Sequence, residues 1–151
     1  MKRNTILYIA LIMLTVLALA SIAADGGRQF TTTMTGAAEV NAQGVPNQGD
    51  PDGSGTATIT LNYGQGTVCW EISVSGITLP ATAAHIHEAP VTAPGPIVVP
   101  LSAPDASGFA SGCATVDRAE IKDIIQHPEE YYVNVHNADY QSGALRGQLS
   151  K

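Results

Sequence analysis

The chain has 151 residues, 44% of them apolar, 13% charged and 5% aromatic, with 15 glycines and 9 prolines. That is the length of one domain with enough apolar material for a core, which excludes wholesale disorder, and its many turn-formers favour short strands over a helical bundle. Seven basic against thirteen acidic residues give a formal net charge of −6, and no basic stretch could track a phosphate backbone, so nucleic acid is excluded as a partner.

Met1-Lys2-Arg3 is a short positive head, and Ile6 to Ala20 is an almost unbroken apolar run. Small residues continue through Ala23-Ala24 before the chain turns polar at Asp25-Gly26-Gly27. This layout predicts a secretory signal peptide over 1–24 and a domain over 25–151. Ile6 to Ala24 also approaches the ~20 residues that a bilayer requires, so an uncleaved form would be membrane-anchored. No cysteine follows the run, and so no lipoprotein anchor is indicated. The expectation is an exported, periplasmic or extracellular protein with no membrane contact after cleavage.

Phe30–Thr35 is the first strand candidate. Asn41 to Gly55 reads as a loop rich in Asn, Gln, Gly and Pro. Within it, Asp50-Pro51-Asp52-Gly53-Ser54-Gly55 starts like a calcium loop, but Leu61 stands where an EF-hand requires its twelfth-position acid, so a plain turn is expected. Gly55–Leu61 alternates polar and apolar residues, Asn62–Gly66 is a turn cluster, and Thr67–Val74 completes a hairpin. Further strands are expected at Ala83–His87, Pro96–Leu101, Gly108–Thr115, Tyr131–His136 and Ala144–Leu149. Asp117–Gln126 instead carries Ile121, Ile124 and Ile125 at helical spacing. Asp117 is a good N-cap with Glu120 three residues on, Pro128 stops the helix, and His127 caps its C-terminus. Eight strands and one short helix define a mainly β domain, an antiparallel sandwich or barrel.

Cys69 and Cys113 are the only thiols, and two cysteines in an oxidising compartment suggest one disulfide. His85 and His87 share one face of their strand, about 6–7 Å apart at Cα, which is a workable bite for one metal ion. In the Tyr131–His136 strand, Val133 and Val135 face the core, while Tyr132, Asn134 and His136 share the polar face. Leu145 and Leu149 point inward, so Arg146 and Gln148 face out. His85, His87 and His136 therefore converge if their two strands are neighbours. Three neutral imidazoles without thiolate suit copper or zinc better than calcium or magnesium. The plainer reading leaves them as exposed polar positions of amphipathic strands. Arg146 is either an anion-attracting group near the metal or a surface charge offsetting Asp139. No Gly-x-Ser-x-Gly, His-Glu-x-x-His or phosphate-loop motif occurs, so a hydrolase is disfavoured and no catalytic residue is assigned.

At these residues the chain resembles the CHRD domain family. The resemblance is carried by Thr35-Gly-Ala-Ala-Glu-Val40, Gly55–Leu61, Val68-Cys-Trp-Glu-Ile-Ser-Val-Ser-Gly76, Ala83-Ala-His-Ile-His-Glu-Ala-Pro90, Gly95–Leu101, Tyr131–Asn137 and Gly143–Leu149. It implies a β-sandwich over about Phe30 to Leu149. More narrowly, His85-Ile-His87-Glu88, with His136 and Arg146, is similar to the copper strand, later copper histidine and substrate-guiding arginine of copper–zinc superoxide dismutases. The bridging and zinc-loop ligands of those enzymes have no counterpart here. The expected fold is thus an antiparallel β-sandwich, immunoglobulin-like or superoxide dismutase-like Greek key, with one short helix. The expected function is metal binding, copper favoured, through His85, His87 and His136, with superoxide-related redox chemistry as an extension. The alternative is a non-enzymatic extracytoplasmic interaction module whose partner is another protein and which holds no metal.

Overall fold

A computed structural model describes residues 27–151. The expected signal segment lies outside the described residues. Eight strands run in the order β1 (Arg28–Thr35), β2 (Ser54–Asn62), β3 (Thr67–Ser75), β4 (Ala83–Glu88), β5 (Ile97–Leu101), β6 (Phe109–Thr115), β7 (Tyr131–His136) and β8 (Leu145–Gln148), with one helix, α1 (Arg118–Gln126), between β6 and β7. Each expected strand is present to within a residue or two, because alternation sorts the side chains. In β2, Ala57, Ile59 and Leu61 are buried, and in β3 so are Val68, Trp70, Ile72 and Val74. Each large apolar side chain so buried contributes roughly 1.5–3 kcal/mol.

All neighbouring strands pair antiparallel, in the order β5-β4-β7-β8-β1-β2-β3-β6. β5 and β6 are the outermost strands, yet only residues 102–108 join them. The sheet therefore has to curl until its edges meet. Ser102 completes the approach, its hydroxyl donating to the Ser111 carbonyl at 3.2 Å and accepting from Trp70 Nε1 at 2.9 Å. The result is a nearly closed sheet of two four-stranded halves. They join along β1 and β8, where Thr35 faces Arg146 and the Thr32 hydroxyl donates to the Gln148 carbonyl at 2.7 Å. Gly147 permits this approach, since a Cβ there would stand 2.8 Å from Met34 and from the Thr33 carbonyl.

Helix α1 closes part of the core with Ile121 and Ile124. Asp117 caps it by accepting from the Ala119 N–H at 2.7 Å, while Glu120 leaves its Oε1 unpartnered instead of closing a capping box. His127 ends the helix with its Nδ1 3.0 Å from Asp123 Oδ1. The calcium-like stretch is a turn in which Asp50 Oδ1 accepts from the Asp52 N–H at 3.2 Å. Cys69 lies directly opposite Cys113 in the β3–β6 ladder, and the two are bonded across a sequence separation of 44. Replacing both cysteines by serine should lower the unfolding free energy by about 4 kcal/mol on the loop-entropy model. A lower urea midpoint is the expected readout, and an unchanged midpoint would show that the bridge contributes nothing.

Candidate metal centre

β4 and β7 are adjacent and antiparallel, so His85 faces Asn134, His87 faces Tyr132, and Ala83 faces His136. His136 is therefore diagonal to His85 on one sheet surface. The opposite surface carries Ala84, Ile86, Val133 and Val135, all fully buried in the core. Diagonal partners lie ~7–8 Å apart at their backbones, within reach of facing imidazoles. The ring centroids are 5.1 Å apart for His85 and His136, 5.5 Å for His85 and His87, and 6.2 Å for His87 and His136. One nitrogen of each ring lies within 4.8 Å of those of the others.

The hydrogen bonds decide which nitrogen each ring offers. His87 Nδ1 is 2.9 Å from the Gly95 carbonyl, and His136 Nδ1 is 3.0 Å from the Gln141 carbonyl. A carbonyl only accepts, so both rings carry their proton on Nδ1 and present a bare Nε2. His87 Nε2 is buried and has no partner at all. His85 Nδ1 stands 3.3 Å from His136 Nε2. Two nitrogens bound to one tetrahedral ion, each ~2.0–2.1 Å from it, are themselves about 3.3 Å apart, so this spacing suits a shared metal. The carbonyls behind His87 and His136 fix the ring orientations as a metal site requires.

Burial favours the neutral form of His85 and His87. Burial, followed by the neighbouring His136 and His87, lowers the pKa of His85 to about 4. Burial lowers that of His87 as well, against the opposing bond to Gly95. Neutral imidazoles are the metal-binding form.

Arg146 has a different place from the one its sequence position suggested. It faces the outer sheet surface, as the alternation requires, but it is 0% exposed. Its guanidinium donates to the Ala93 and Pro90 carbonyls, both at 2.9 Å, and to Gln148 Oε1 at 3.1 Å. Gln148 Nε2 in turn donates to the Ala89 carbonyl at 2.8 Å. The two side chains clamp the 89–95 segment, whose last residue holds His87. The surface-charge alternative gives way to this one because the side chain is buried and its terminal N–H groups go to carbonyls beneath a loop, leaving Nε without a partner, while Asp139 accepts from Thr78. The guanidinium also lies 3.6 Å from the centroid of the Tyr132 ring, against which His87 stacks at 4.9 Å with planes 7° apart.

Several contributors carry no signal in the sequence. Gly95 is one: a Cβ there would fall 1.9 Å from the Glu88 carbonyl, so only glycine lets the segment fold back over β4. Glu39 is another, accepting from Asn134 Nδ2 and, at 3.1 Å, from the Val40 N–H. Gln141, which orients His136, is a third. Tyr132 and Asn134 were legible as neighbours on the polar face, although their contacts were not.

The fold and the site together define an antiparallel β domain with a histidine triad on the outer surface of one strand pair. The sequence model of the CHRD domain matches residues 30–149, and the chain belongs to this family. Comparison with curated proteins and with solved structures found no match.

Two outcomes follow for the metal-free protein. Folding depresses the His85 pKa, so as pH falls below ~6.5 the unfolded chain takes up this proton first, and stability declines from there toward pH 4. His85→Gln should flatten that limb of the stability–pH curve, and an unchanged slope would contradict the assigned burial. Arg146→Met should cost roughly 3 kcal/mol by removing the bonds to the Ala93 and Pro90 carbonyls and to Gln148 Oε1, the Ala93 carbonyl being left unpartnered. Amide exchange over 89–96 should accelerate, and unaltered protection there would rule out the clamp.

Proposed function

We propose that this CHRD domain is exported and binds one transition-metal ion, copper favoured, through His85 Nδ1, His87 Nε2 and His136 Nε2. The observation that carries this reading is the buried, partnerless Nε2 of His87 beside two further imidazole nitrogens. An orphaned buried acceptor costs ~1–3 kcal/mol, which a bound ion would recover. The donor set is all imidazole with no carboxylate among the three, which suits copper or zinc, and copper stands highest in the usual affinity order. Bound copper would supply a one-electron redox couple. Anion guidance by Arg146 forms no part of this reading, since that side chain is engaged under the 89–95 segment.

Export is supported by the signal-like layout of residues 1–24 and by the disulfide, which fits an oxidising compartment. Among the described residues, no helix is long and apolar enough to cross a membrane.

Calorimetric titration of the metal-free protein with copper(II) should give one ion per chain. The double variant His85→Ala, His87→Ala should weaken affinity by at least about 100-fold, because groups one shell further out are already worth 10–100-fold. Unchanged affinity in that variant would place the copper elsewhere and leave a metal-free interaction module as the reading.

A further inference from the structure

A cavity of about 390 Å³ opens beside His87, between the 39–48 segment and the outer surface of β7, lined among others by Glu39, Gln48, Tyr132, Asn134 and Ser142. Volumes of this size accommodate small organic molecules. Its polar groups are unevenly matched. Glu39 is a carboxylate only 3% exposed, and among the described residues it forms no ion pair. Buried charges are ordinarily paired. Asn134, 2% exposed, spends its Nδ2 on Glu39 and leaves Oδ1 without a partner. His87 Nε2 is a second unfilled acceptor among the residues that line the cavity. The Tyr132 hydroxyl accepts from the Gly95 N–H at 3.2 Å. Arg146, a cation near this wall, gives its terminal N–H groups to Pro90, Ala93 and Gln148 and leaves Nε without a partner. The cavity thus sets a buried carboxylate and two open acceptors beside the ordinary hydroxyl and amide groups of Tyr132, Ser142 and Gln48.

We propose that this cavity binds a small organic cation, an amine whose N–H groups meet the Glu39 carboxylate and the free Asn134 oxygen, and that it rejects anions. The claim goes beyond metal binding and does not depend on it. An ammonium group would pair the isolated carboxylate and fill the open acceptor in one step. Carboxylates and other small anions would meet the Glu39 charge, while Arg146, the cation that faces Glu39 electrostatically, gives its terminal N–H groups to two carbonyls and Gln148.

The test uses isotopically labelled, chelator-treated protein at pH 7, titrated with ethanolamine or with sodium acetate at matched ionic strength and followed by NMR. Ethanolamine should shift the Asn134 side-chain amide and the Tyr132 backbone amide saturably, and acetate should shift neither. Glu39→Gln, which keeps the shape and removes the charge, should weaken the amine about tenfold or more. If that variant does not fold, Ser142→Trp, at the exposed rim, should block entry with the fold intact. Absence of saturable shifts with ethanolamine, equal binding of acetate, or full amine affinity in the folded variant would overturn the proposal. Amine binding in this metal-free sample together with a failed copper titration would leave the cavity standing and remove the metal.

Discussion

The register between β4 and β7 is the constraint on which the rest of the molecule's chemistry depends. A strand has a side-chain period of two, so a slip of one residue would send both histidines of β4 into the core and expose Ala84 and Ile86. What prevents the slip is apolar. Ala84, Ile86, Val133 and Val135 are all fully buried on the inner side of these two strands, with Val99 of β5 buried beside them. Hydrophobic burial on one surface therefore sets the imidazole spacing on the other. The β4–β7 pairing is unbroken from Ala83–His136 to Glu88–Tyr131, and the register shift at Ile86/His87 falls on the other side of β4, against β5.

Above those strands lies a second, polar layer. Arg146 and Gln148 hold the 89–95 segment, and that segment holds His87 through Gly95. Glu39 reaches across the sequence to orient Asn134. Buried polar groups in proteins are nearly always partnered, so the few that are not carry information. Here His87 Nε2 and Asn134 Oδ1 adjoin the same cavity. The charge pattern has a consequence for substrate class. Arg146 lies beneath a loop, while Glu39 lines the opening, and the proposed preference for an amine rests on that difference.

Much of the fold was legible because its strands are cleanly amphipathic. Alternation in Gly55–Leu61 and Thr67–Val74 placed the inward residues correctly, and it assigned Val133 and Val135 to the core before any coordinates. The Ile121–Ile124–Ile125 spacing found the helix, and the two cysteines found each other across the β3–β6 ladder. The face occupied by each histidine was legible for the same reason. Adjacency was not. β5, β6 and α1 all intervene between β4 and β7, and nothing in a period-two pattern says which strand pairs with which. Arg146 illustrates the limit most clearly: its outward direction follows from Leu145 and Leu149, but its burial comes from a segment more than fifty residues away. Glu39 and Asn134 meet across 95 residues, and closure of the sheet depends on Ser102, which no local pattern marks.

The most direct measurement of the central assignment is anomalous diffraction at the copper edge from crystals of the protein soaked in copper. One peak, ~2.0–2.2 Å from His85 Nδ1, His87 Nε2 and His136 Nε2 together, is the required result. Copper held by a single ring, or density only at other surface groups, would contradict the claim that the β4–β7 register builds a three-imidazole metal site.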